Sequence, residues 1–104
     1  MTAENESVLF GELQDDPERG DLIIGSGGVR KIRVALGNRG KSAGARVVYN
    51  YFATKERIYL LLVYRKNKKS NLTKAEINQL KILTEQIKME IEKETENEDK
   101  ENKK

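Results

Sequence analysis

Two hydrophobic periods divide the chain. Near the start, Val8, Leu9, Phe10 and Leu13 fall close to helical spacing and predict a short amphipathic helix over about residues 4–14. Asp15-Asp16-Pro17-Glu18-Arg19-Gly20 ends it, because Pro17 disfavours helix at the residue before it and Gly20 frees the backbone to turn. Residues 21–24 read as a short extended connector and Gly25-Ser26-Gly27-Gly28 as a flexible loop. The period then becomes two. Over residues 29–36, Ile32, Val34 and Leu36 point one way and Lys31 and Arg33 the other, as a half-buried strand requires. A Gly-rich loop over residues 37–45 leads to a second strand, 46–52, and a hairpin-length connection leads to a third, 57–65. Short connections make these three strands an antiparallel meander.

Leu72-Thr73-Lys74-Ala75-Glu76-Ile77 has the form of a helix start. Thr73 caps, Glu76 closes a capping box, and Leu72 staples against Ile77. Ile77, Leu80, Leu83, Ile87 and Ile91 trace one apolar stripe, and no apolar residue follows Ile91. The expectation is an α+β domain over residues 1–91: a three-stranded antiparallel sheet, an N-terminal and a C-terminal helix on one face, and a cleft on the other. A charged, disordered tail over residues 92–104 should follow it.

Composition narrows the chemistry. At 104 residues the chain has room for one domain. It contains no Cys and no His, so disulfides, thiolate nucleophiles, the usual zinc ligand sets and histidine proton shuttles are excluded. Neither a metal nor another cofactor is expected. The longest strongly apolar run, residues 58–64, is far short of the ~20 residues that cross a bilayer, so no membrane association is expected. Residues 1–6 show no basic stretch followed by an apolar one, and the cytoplasm is the expected compartment.

The net charge of +3 hides a sharp partition. Residues 1–29 set one base against seven acids, a balance of −6. Residues 30–69 set twelve bases against Glu56 alone, a balance of +11, and residues 70–104 return to −2. Scattered lysines need no explanation beyond solubility. Twelve bases in one segment, half of them Arg, point instead to a polyphosphate partner, and nucleic acid leads.

Ala35-Leu36-Gly37-Asn38-Arg39-Gly40-Lys41-Ser42 ends like a phosphate-binding P-loop, but Ala35 stands where the first glycine belongs and a strand follows where a helix should. The stronger constellation is in the sheet. Lys31 and Arg33 project from the first strand, Arg46 opens the second, and Arg65, Lys66, Asn67 and Lys68 close the third. In a meander these ends meet, so several cations converge on one patch.

Three runs together resemble a known family. Gly27-Gly28-Val29-Arg30-Lys31-Ile32-Arg33-Val34-Ala35, then Arg39-Gly40-Lys41-Ser42-Ala43-Gly44-Ala45-Arg46-Val47-Val48-Tyr49, then Tyr59-Leu60-Leu61-Leu62-Val63-Tyr64-Arg65-Lys66-Asn67 are similar to the RelE superfamily, and within it to the HigB-like toxins of bacterial toxin-antitoxin pairs. The resemblance implies a RelE-like fold and an endoribonuclease that cuts messenger RNA in the ribosomal A site. It also implies a cognate antitoxin of helix-turn-helix type. By position, Lys31 and Arg33 resemble the family's paired basic residues, Arg46 the arginine on the scissile phosphate, and Lys66 the base closing the site. Arg30, Arg39, Lys41, Tyr64, Arg65, Asn67 and Lys68 are then expected to contact RNA.

Such a site suits a chain without His. Guanidinium groups match phosphate geometry and stay charged, so Arg33 and Arg46 can stabilise the phosphorane. A lysine among cations loses its proton more readily, which makes Lys31 a candidate general base and Lys66 a candidate acid or phosphate clamp. In the family, a β-strand and a first helix usually precede the segment matching residues 2–20, and neither stands in this sequence. The sheet should therefore be one strand short, and pairing of two copies through the exposed edge is one way to cover it. The rival reading keeps the cationic face without catalysis, as an RNA- or ribosome-binding module. A DNA-binding regulator is disfavoured because no helix is basic in the way a groove-reading helix must be.

Overall fold

The computed structural model describes residues 3–35, 44–66, 68–69 and 71–102. Helix α1 (Ala3–Asp15) is followed by strands β1 (Asp21–Leu22), β2 (Arg30–Val34), β3 (Ala45–Phe52) and β4 (Arg57–Arg65), and then by helix α2 (Lys74–Asn102). Among the described residues the strands form one antiparallel sheet in the order β1-β2-β3-β4. The three-stranded meander is present, and the supposed connector adds a fourth strand.

That short strand is held from behind. Asp21 pairs with Lys31 and Leu22 with Arg30. The buried Tyr49 hydroxyl accepts a hydrogen bond from the Gly20 amide (2.9 Å) and donates one to the Pro17 carbonyl (2.8 Å). A Cβ at Gly20 would lie 2.8 Å from the Tyr49 ring, so the chain approaches that ring only because the residue is glycine. The segment between β1 and β2 is an organised turn rather than a flexible loop. Ser26 is fully buried, donates to the Ile23 carbonyl (2.6 Å) and accepts from the Val29 amide (3.0 Å).

The two helices lie on opposite faces of the sheet, not on one face as expected. Leu9 and Leu13 of α1 pack with Ile32, Val34, Val47 and Tyr49, while Leu80 of α2 packs with Val29 and Val48. Neighbouring residues of a strand point to opposite faces, so Val47 and Val48 divide the core between the helices. Strand β3, from Ala45 to Asn50, is accordingly buried throughout. Within α1 only Leu9 and Leu13, one turn apart, face the sheet, and Val8 and Phe10 are exposed.

Helix α2 begins with the expected capping box: the Thr73 amide donates to Glu76 Oε1 (2.9 Å) and the Glu76 amide to Thr73 Oγ1 (3.1 Å). Leu80 and Ile91 are buried, and so is Thr84, which interrupts the apolar stripe to bond Asn50 of β3 (3.0 Å). The helical backbone continues through the charged residues expected to be a disordered tail, as far as Asn102. Glu94 is tied back to Arg57 of β4 by an ion pair of 2.7 Å, and Glu and Lys are good helix formers. No helix among the described residues is long and apolar enough to cross a membrane.

Candidate active site in a basic cleft

The cleft lies on the α2 face of the sheet, near the start of that helix. Strand register builds it. Arg33 pairs with Arg46 and Arg46 with Tyr64, so three adjacent strands send one row of side chains to the same face. Lys31, two residues before Arg33, also faces this way, and Asp21 stands opposite it on β1. Past the end of β4 the Lys66 amide still bonds the Gly44 carbonyl (3.4 Å), which keeps that turn against the start of β3.

Asp21, Lys31, Arg33, Arg46, Lys66 and Asn71 together line a cavity of about 280 Å³. All four sequence-predicted catalytic residues are therefore brought together in one open, strongly polar site. Four cations face one carboxylate there, an arrangement that attracts an anion.

Arg46 is only 8% exposed, and its Nη1 has no hydrogen-bond partner among the described residues. The neighbouring Tyr64 hydroxyl is also buried without one. Burial raises the Tyr64 hydroxyl above its ordinary titration range, against the opposing pull of the Arg46 and Lys69 cations. A buried guanidinium with an unused donor costs stability unless something accepts from it.

The other expected RNA contacts divide. Arg30 lies on the α1 side, where its Nη1 donates to the carbonyls of Glu18 (2.9 Å) and Gly20 (2.7 Å) and so fixes the loop that presents β1. Arg65 pairs with Ala45 across the strands, on the face away from the cleft, and is exposed. Lys68 is exposed beyond β4, and Tyr64 lies in the cleft row. Arg39, Lys41 and Asn67 fall outside the described residues.

Sequence reasoning missed Asp21 and Asn71. The signal for Asp21 was available: Asp21-Leu22 and Arg30-Lys31 flank a turn rich in glycine and centred on Ser26, the arrangement of a hairpin. A family model described as the RelE toxin of the RelE / RelB toxin-antitoxin system matches residues 18–103, a span that includes every residue lining the cleft.

Proposed function

The chain belongs to the RelE toxin family, and from that membership we propose that this toxin, whose partner is an antitoxin, is a ribosome-dependent endoribonuclease that cuts messenger RNA in the cytoplasm. The observation that carries the reading is the convergence of Lys31, Arg33, Arg46 and Lys66 on one cavity. RNA cleavage by its own 2′-hydroxyl passes through a phosphorane with extra negative charge. Arg33 and Arg46, side by side on β2 and β3, can both donate to its oxygens. Lys66, past the end of β4 where its side chain is exposed, can protonate the departing 5′-oxygen. The ribosome supplies much of the orientation of the message, so few protein groups are needed.

The test uses purified ribosomes programmed with a defined message and a codon in the A site. The full chain should produce new 5′ ends within that codon, and Arg46→Ala should abolish them while still binding ribosomes. Binding by the wild-type chain with no new 5′ ends would overturn the enzyme reading and leave a non-catalytic ribosome-binding module.

A further inference from the structure

We infer that Asp21 is the general base of the cleft, with Lys31 remaining a cation on the phosphate. The inference rests on the endoribonuclease reading and names a catalytic residue within it. Among the described residues Asp21 is the one carboxylate that lines the cavity. It arrives there through the two-residue ladder of β1, and the Tyr49 and Arg30 hydrogen bonds to the preceding loop hold it in place. Its side chain is exposed and lines the cavity, and among the described residues it makes no ion pair.

The charges around it decide the assignment. Lys31 stands directly across from Asp21 on the same face, where paired residues of an antiparallel ladder have Cβ atoms ~5 Å apart. Lys31 belongs with Arg33, Arg46 and Lys66 to the cations that line the cavity and can donate to phosphate oxygens. The groups facing Asp21 are Lys31 and Arg33 of β2, Arg46 of β3 and Lys66 after β4, all cationic. A carboxylate offers acceptor oxygens only, whereas each of these four side chains is a donor while it carries its charge.

The step balances without a further reactant. The 2′-hydroxyl gives its proton to the Asp21 carboxylate as its oxygen forms a bond to phosphorus. The P–O5′ bond breaks, and the 5′-oxygen takes a proton from the Lys66 ammonium. The products are a 2′,3′-cyclic phosphate and a 5′-hydroxyl end, and exchange with solvent restores both side chains.

The experiment is single-turnover cleavage on programmed ribosomes over about pH 6 to 9, with ribosome binding measured in parallel. Carboxylates titrate near pH ~4 and ammonium groups near ~10.4, so a carboxylate base predicts a wild-type rate nearly independent of pH across this range, whereas a lysine base predicts a rate rising about tenfold per unit. Asp21→Asn should slow cleavage by about 10² to 10⁴-fold with ribosome affinity unchanged or tighter. Asp21→Glu should recover part of the rate, and Glu85→Gln, an exposed carboxylate change on α2, should leave it unchanged. Wild-type cleavage together with a near-wild-type rate for Asp21→Asn, or with the tenfold rise, would overturn the inference and leave the nuclease reading standing. No wild-type cleavage would overturn both.

Discussion

Arg46 places a permanent charge where almost no water reaches it, and its Nη1 finds no acceptor among the described residues. A side chain selected for packing at that position would be apolar, as its neighbours Val47 and Val48 are. Replacing a buried polar group that lacks a partner by an apolar one of similar shape is neutral or stabilising. Arg46→Met should therefore raise folding stability, by about 1 to 3 kcal/mol in denaturant melts, while removing cleavage. A loss of stability of that size would mean that Arg46 serves the fold and not the phosphate. The position of Arg46 beside Arg33 was legible in the sequence because a meander sets the start of one strand against the end of the strand before it. Its burial was not, since that depends on how Tyr64 and α2 pack around it.

At the level of elements, periodicity reported what periodicity can. The second and third strands of the meander were read at residues 46–52 and 57–65, and the structure has them at Ala45–Phe52 and Arg57–Arg65. Strand β1 escaped because two residues are too few to show a period, and its pairing depends on Gly20 reaching the Tyr49 hydroxyl from 29 residues away. Which face each helix covers escaped for a related reason. A strand buried on both sides, such as β3, offers apolar residues in both directions and does not say which helix takes which. Thr84 escaped because a polar residue within an apolar stripe reads as an interruption until Asn50 is seen across from it.

The capping box at the start of α2 was legible in the sequence, and its Glu76 carries a pH dependence through Lys69, which was not. The Glu76 carboxyl is lowered to about 2 from 4.5, first by the Lys69 ammonium and then by the Thr73 amide. Its folded value lies below the unfolded one, so its contribution is complete above about pH 4.5 and is lost as pH falls toward about 2. Thermal melts across that interval should show the wild-type midpoint falling more steeply than that of Glu76→Gln. Parallel curves would mean that the Lys69 pair contributes nothing to folding.

Across the whole molecule, the −6 of residues 1–29 and the +11 of residues 30–69 do not simply cancel, because the fold sorts them by surface. Of the seven acids in the first segment, Asp21 alone lines the basic cavity. The cleft therefore keeps a large excess of positive charge although the chain as a whole carries only +3. Binding driven by such a site releases counterions from the nucleic acid. With four cations on single-stranded RNA, the logarithm of affinity should fall against the logarithm of salt concentration with a slope of about −3. Lys66→Ala should make that slope shallower by about 0.7, because its exposed ammonium acts as a point charge on phosphate and its loss disturbs no core contact. Asp21→Asn should leave the slope near the wild-type value while slowing cleavage, since it removes a proton acceptor and no phosphate contact. Fluorescence titrations from 50 to 200 mM salt separate the two variants. Equal slopes for Lys66→Ala and the wild type would place the RNA on another surface.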